Sequence, residues 1–532
     1  MRRLTLVARR TLLCTALTAA LSAGLCNVAN AAATANGAAP AVAWLEAAAD
    51  ADVERAFALA RAENKPVLLY WGAKWCPPCN QLKATLFNRQ DFIARSHALV
   101  AVHIDGDLPG AQKLGGRFKV RGYPTLILLG ADGSEITRLP GEVDAPQVMN
   151  VLQIGLAGGR PVKQVLADAR AGKPLSGNEW RLLAFYGWDI DEARLVPANE
   201  RAGLLAQLSA ACPPAESEAA TRLLLKALAE SDDGQGIKPD AALRARVKRL
   251  LADAGASRVQ MDVVVNYAPD ITKALAPAAG AERAVLVAAF DSALKRLQAD
   301  TSLSRSDRLS ALASRVGLAR LDQPKHSLQP KLSPALLAEL QAQVARDDRE
   351  ISDPYERQAV ITGGASALAD AGLWAASDAL LKANLARSHS PYYLMSQLSG
   401  NARKQGRQDD ALHWAEQAWA KSEGPATRLQ WGAGYMAALV ELAPQDAARI
   451  ERTAAALFAE AGKDSSAFHE RSARSLQRVG GLLGRWNGQG THDEVLRRLQ
   501  AALTPVCGKL DAADAQRATC ESILKPVAAK RG

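Results

Sequence analysis

The chain has 532 residues, with 65 Lys and Arg against 55 Asp and Glu, a formal charge of +10 and 48% hydrophobic residues. That length is too great for a single hydrophobic core, so two or three domains are expected. The basic excess is spread along the chain without a Lys/Arg run, which suits solvated helix faces and argues against a nucleic-acid partner.

In chain order, "MRRLTLVARR" carries four arginines and no acid, "TLLCTALTAALSAGL" is a short apolar core, and "VANAA" ends in an A-x-A-like site at Ala29 and Ala31. This is the layout of a secretory leader, residues 1–31, cleaved after Ala31. Its apolar run is shorter than the ~20 residues that span a bilayer, so no stable membrane insertion is expected after cleavage. "AGLC", up to Cys26, lacks the small residue that lipidated leaders have just before their cysteine. The expected product is exported, or periplasmic, with a net charge near +6, since the leader takes four arginines with it. Five cysteines remain, Cys76, Cys79, Cys212, Cys507 and Cys520, and an odd number leaves one thiol unpaired.

After a flexible linker at 32–41, the stretch 42–160 alternates strand-like runs, "KPVLLYWGA", "HALVAVHID", "YPTLILLG" and "EITRLPG", with helical patterns, which predicts an α/β domain. The first of these runs leads into "KWCPPC". A helix starting there offers free N–H groups and a partial positive charge, which favour a thiolate on Cys76, the expected nucleophile. Cys79, one turn deeper on the same face, is the expected resolving thiol. Trp75 is read as a flat apolar neighbour that shields the sulfur and leaves one side open to a substrate disulfide. Pro77 and Pro78 have no backbone N–H, so Cys76 keeps mainly the helix dipole and the N–H of Cys79. None of the seven histidines has zinc-site spacing to a cysteine, and no metal or cofactor is expected.

On "YWGAKWCPPC" and "VRGYPTLILL" the region 42–160 resembles the thioredoxin superfamily. The resemblance implies a mixed sheet flanked by helices, a cis peptide before Pro124 facing the cysteine pair, and a Tyr123 backbone that bonds an extended substrate. The longer run "ENKPVLLYWGAKWCPPCNQLKATLFN" most resembles the soluble C-terminal domain of bacterial membrane thiol-disulfide interchange proteins. Two departures stand out. Tyr70 occupies the position of the family's buried aspartate, the proton acceptor for the resolving thiol, and Ala101 replaces the lysine that accompanies it. Lys74 is the remaining electrostatic candidate near Cys79.

Beyond about residue 160, Ala, Leu, Arg and Gln recur with apolar spacings of three and four, as in "ALRARVKRLLADAG", which predicts an all-helical region at 170–322 and another at 335–532. Ser176 to Glu179 reads as a capping box, and Ser333 with Pro334 as a helix start. The halves are expected to fold separately, with a boundary between about 158 and 175. Gly372 and Gly406 lie 34 residues apart between paired helical segments, and the stretch 358–425 resembles tetratricopeptide repeats. Leu398, Ser399, Gly406, Ala411 and Ala418 fall on that family's small or apolar positions, whereas Asn384 stands where a small residue belongs. The Trp and Tyr residues at 180, 186, 188, 414, 419, 431 and 435 read as helix-packing residues, some of which could line a peptide groove. Cys507 and Cys520 flank a turn between C-terminal helices and are expected to form a structural disulfide, leaving Cys212 as a half-buried thiol.

Two function classes fit these observations. One is an exported thiol-disulfide oxidoreductase of reductase or isomerase type, acting on protein thiols and disulfides, with helices that recruit a client and a membrane electron donor that recharges it. The other is a helical-repeat scaffold whose α/β domain is mainly an interaction module.

Overall fold

The computed structural model describes residues 41–139, 144–190, 195–231, 236–488 and 490–525. The leader at 1–31 and all but the last residue of the linker lie outside them. The apolar run Val67–Gly72 forms β2, buried along its whole length, as a strand covered on both faces must be. It lies at the centre of a five-stranded sheet of order β1-β3-β2-β4-β5, where β1 is Leu45–Glu46, β3 Val100–Asp105, β4 Thr125–Leu129 and β5 Glu135–Leu139. β1, β3 and β2 run parallel, and β4 and β5 are antiparallel to their neighbours.

Alternation along β2 divides the core in two. Val67, Leu69 and Trp71 pack with Phe57 of α1 (Asp50–Glu63) and Leu114 of α4 (Ala111–Phe118). Leu68 and Tyr70 pack on the opposite face, with Leu82 of α2 (Pro77–Thr85), Phe92 of α3 (Gln90–Ser96) and Val148 and Leu152 of α5 (Ala145–Leu156). This second cluster does not stop at residue 160. It continues through Val165, Leu183, Phe185, Leu205 and Leu223 of the following helices. The described residues from Ala41 onward form one compact unit, and the expected boundary at 158–175 falls inside continuous packing.

From Val162 on, the described regular structure is helical. Ser176 Oγ accepts from the Glu179 N–H while the Glu179 carboxylate accepts from the Ser176 N–H, and Ser333 caps the helix Pro334–Glu350. Two helical hairpins, Pro354–Asp370 with Trp374–Asn384 and Pro391–Lys404 with Gln408–Lys421, turn at Gly372 (φ 79°) and Gly406 (φ 73°), a backbone region that favours glycine. The two hairpins are tied in the same way. Ser377 Oγ donates to the Ala365 carbonyl at 2.7 Å, and 34 positions on Ser399 Oγ donates to the Ala411 carbonyl at 2.8 Å, with donor and acceptor helices exchanged. Asn384 departs from the small-residue pattern because it is a buried member of a polar network, bonded to Arg357, Asp348 and the Leu380 carbonyl.

Cys507 and Cys520 are joined by a disulfide with Cα atoms 5.6 Å apart, closing a loop whose tethering stabilises the fold by about 3 kcal/mol. Cys212 is buried, and burial raises its thiol to about 11.

Because one face of the sheet shares its core with residues 162–227, a fragment of residues 42–160 exposes apolar side chains worth about 1.5–3 kcal/mol each when buried. The fragment is expected to bind a hydrophobic dye and to melt without a sharp transition, in contrast to the full chain. A sharply melting, dye-free fragment would show that the shared core is dispensable.

Candidate active site

Cys76 is the N-cap of α2, with Pro77 and Pro78 in the first turn, where a missing N–H costs no helical hydrogen bond. The Cys79 N–H donates to Cys76 Sγ at 3.3 Å, and both thiols are unbridged. Asn80 holds the turn from below, its Nδ2 donating to the carbonyls of Lys74 (2.9 Å) and Cys76 (2.8 Å). The Tyr123–Pro124 peptide is cis. The Tyr123 hydroxyl accepts from Gln112 Nε2 at 3.1 Å, and its ring lies edge-on to Trp75.

The surroundings of this dithiol differ from the expected half-open site. Cys76 is 3% exposed, Cys79 0% and Trp75 9%. Trp75 stacks on Tyr393 at 5.8 Å and meets Trp431 edge-on at 5.0 Å, and Tyr392 and Ala418 complete an apolar cluster over the two sulfurs. The side of Trp75 expected to be open is therefore closed. The covering side chains come from helices more than 300 residues further along the chain, beyond the reach of any local spacing rule.

A polar ring surrounds that cluster. Trp75 Nε1 donates to Thr427 Oγ1 at 2.8 Å and to Asp107 Oδ2 at 3.0 Å. Arg471 pairs with Asp107 and lies over the rings of Trp75 (5.4 Å) and Tyr123 (5.1 Å). Its backbone N–H donates to Gln112 Oε1 at 3.0 Å. A Cβ on Gly424 would come within 2.6 Å of Asp107 Cβ, so the absence of a side chain lets the helix Pro425–Leu442 start directly against this carboxylate. Further out, Lys74 Nζ pairs with Glu423 at 3.1 Å, His389 Nε2 meets the Lys74 carbonyl at 3.1 Å, and Gln81 donates to Asp307 at 2.7 Å.

Burial also decides the electrostatics. Loss of water, then the adjacent Cys79 thiol, pushes the Cys76 thiol well above the ordinary range, and the Cys79 N–H and Lys83 oppose this without prevailing. The dipole argument that favoured a Cys76 thiolate is thus outweighed while the site is closed. Tyr70 is raised too, first by burial and then by the two sulfurs, so it keeps its proton and is no base for Cys79. The partly buried Asp105, on the neighbouring strand, is itself raised by burial and is a carboxylate whose charge reaches Tyr70. Lys74, the cation singled out in the sequence, is exposed and committed to Glu423. Burial opposes the charge on Arg471, but Tyr123 and Asp107 more than compensate and raise its pKa.

Of the site residues expected from sequence, the structure brings together Trp75, Cys76, Cys79 and Tyr123. Pro77 and Pro78 instead line a small cavity of about 130 Å³ against Met261, Ser306 and Asp307. Asp107, Tyr392, Tyr393, Thr427 and Arg471 were missed, since nothing in their spacing separates them from ordinary helix and loop residues. Trp431, read as a packing residue, packs on the redox turn.

A strand, a Cys-x-x-Cys helix start and a cis-proline loop on this mixed sheet define a thioredoxin-fold domain with a dithiol at the usual turn. The model of the thioredoxin-like domain family matches residues 53–154. The chain is similar to the thiol:disulfide interchange protein DsbD 2 of Pseudomonas aeruginosa, 35% identical over 107 residues, covering 19% of this chain and 18% of that protein. It is also similar to DsbD of Pseudomonas fluorescens, 34% identical over 99 residues, covering 18% and 17%. A thioredoxin from Thermus thermophilus aligns over 22% of this chain and 88% of its own, with 26% identity and a TM-score of 0.19. The chain thus spans under a fifth of these interchange proteins, and the helical half lies outside the family match.

With the Cys76 pKa raised, the closed site holds a neutral thiol below that pKa and a thiolate only above it. Alkylation of Cys76 is therefore expected to climb only at pH above about 8.5, the free-thiol value. A plateau reached by pH 7, read by peptide mass spectrometry, would mean that the thiolate is stabilised despite burial.

Proposed function

We infer that the chain is an exported thiol-disulfide oxidoreductase of reductase or isomerase type, with Cys76 as nucleophile and Cys79 as resolving thiol. The observation that carries this reading is an unbridged thiol pair at a helix start, with the Cys79 N–H directed at Cys76 Sγ. In reduction, the Cys76 thiolate attacks a substrate disulfide, forming the mixed disulfide and releasing one substrate thiolate. Cys79, once deprotonated, attacks Cys76 Sγ, forms the Cys76–Cys79 disulfide and releases the second substrate thiolate. Two electrons pass to the substrate, and the two protons left by the cysteines balance the substrate thiols formed. A dithiol donor must then return two electrons, and similarity to interchange proteins favours a membrane donor. The hairpins at 354–421, with their repeated serine ties, favour tetratricopeptide-like pairs that recruit a client.

A second reading has its own support. The redox face is covered by helices of the same chain, as it would be in a scaffold whose thioredoxin-like domain serves only for contact. Turnover separates the two. The purified chain is expected to reduce insulin with dithiol reductant, Cys76→Ser to abolish the rate, and Cys79→Ser to accumulate mixed disulfides. A rate unaffected by Cys76→Ser, or no rate with the site opened, would favour the scaffold.

Direction follows from the thiolate. Burial and two prolines without N–H groups disfavour it, so the disulfide is hard to reduce. The potential is expected nearer about −270 mV than about −120 mV, and a value more positive than about −150 mV by glutathione equilibration would indicate an oxidase instead.

A further inference from the structure

Besides its packing on the helix Pro354–Asp370, the dithiol region has two differently built boundaries. The far face of the sheet is joined to the helices after it by one large apolar cluster that includes Leu68, Leu128, Leu183 and Leu223. The redox turn meets the helices at 391–486 through a small cluster of its own, separate from the main cores, in which Tyr392, Ala418 and Trp431 cover Trp75 and the cysteines. Around it the contacts are side-chain hydrogen bonds and ion pairs, from the exposed Lys74–Glu423 pair to the buried Asp107–Arg471 pair. One boundary is a core. The other has the composition of a separable interface, an apolar centre within a polar rim.

Arg471 is the central element of that interface. It lies over the touching rings of Trp75 and Tyr123, over the turn and loop that an incoming disulfide must reach, and its charge is matched by Asp107. Glu470 beside it has φ 38°, a left-handed backbone that a residue with a side chain adopts only when its surroundings impose it. Thr427 is bonded to both Trp75 and Asp107, linking a second helix to the same point.

We propose that the helices at 391–486 are an autoinhibitory cover for the dithiol, latched at Asp107 by Arg471 and Thr427, and that Cys76 exchanges disulfides only when this latch parts. The inference rests on the oxidoreductase reading and adds its control. The cover occupies the substrate's place, so a client must displace Tyr393, Trp431 and Arg471 before its sulfur meets Cys76. The shared core on the far face keeps the two halves joined while the redox face opens.

The test uses the full reduced chain with iodoacetamide, following Cys76 by peptide mass spectrometry, with the urea-unfolded chain as the reference and Cys212 as internal control. Native Cys76 is expected to react at least about 100-fold more slowly than in the unfolded chain. Arg471→Met and Thr427→Ala are each expected to speed it about 10-fold, leaving Cys212 and the far-ultraviolet circular dichroism unchanged. Should Arg471→Met fail to fold, Thr427→Ala decides. Native Cys76 reacting as fast as the unfolded chain, or folded variants reacting at the native rate, would overturn the latch. Insulin reduction distinguishes this failure from that of the activity. A Cys76-dependent rate that the latch variants do not raise removes the cover and keeps the oxidoreductase. Faster alkylation in the variants without any insulin reduction keeps the cover and removes the oxidoreductase.

Discussion

The buried pair of Asp107 and Arg471, set against the ring of Trp75, is the contact on which the closed redox face depends. Taking both charges out of water costs several kcal/mol per ion, and only close pairing and hydrogen bonding offset it. Asp107 meets that demand, since it accepts from Trp75, Thr427 and Arg471. Arg471 meets it partly: its Nε has no partner, and the faces of Trp75 and Tyr123 substitute for water there. A pair satisfied on one side and compromised on the other holds its partners in register without the permanence of an apolar core.

The rest of the site follows from that closure. Once Tyr393 and Trp431 seal Trp75, Cys76 loses water, and desolvation outweighs the helix N-terminus in setting the state of its thiol. Tyr70 and Asp105 are shifted in the same direction for the same reason. Low dielectric makes this region poor at holding negative charge, whether on sulfur, phenolate or carboxylate. A site of this kind keeps the Cys76 thiol neutral.

The division of labour between the faces of the sheet is the other architectural theme. Leu68, Leu126 and Leu128 on β2 and β4 pack into a core that continues for another hundred residues of helix, which gives the redox turn a rigid base. The opposite end of the chain returns to cover that turn, and the two hairpins at 354–421 lie along this return path. Ala418 occupies the position 34 residues after Asn384, and its small side chain sits in the cluster over the cysteines.

The α/β region was legible because its determinants are local. A continuous apolar run makes a doubly covered strand, Cys76 and the two prolines make a helix start, and Tyr123 with Pro124 supplies the cis-proline loop. The glycine spacing of 34 and the capping box at Ser176 were readable for the same reason, since each is settled within one or two helical turns. The core shared across residue 160 and the closure of the site could not be read from the sequence because both depend on surfaces that meet across hundreds of residues. Leu183 and Leu223 look like any amphipathic helix positions until they close over the sheet, and Arg471 looks like any basic residue until it lies over the rings of Trp75 and Tyr123. By itself the sequence determined which residues form the dithiol and what turn presents it. Only the tertiary structure decided whether water reaches that dithiol, because desolvation is a property of everything packed around an atom and not of its neighbours in the chain.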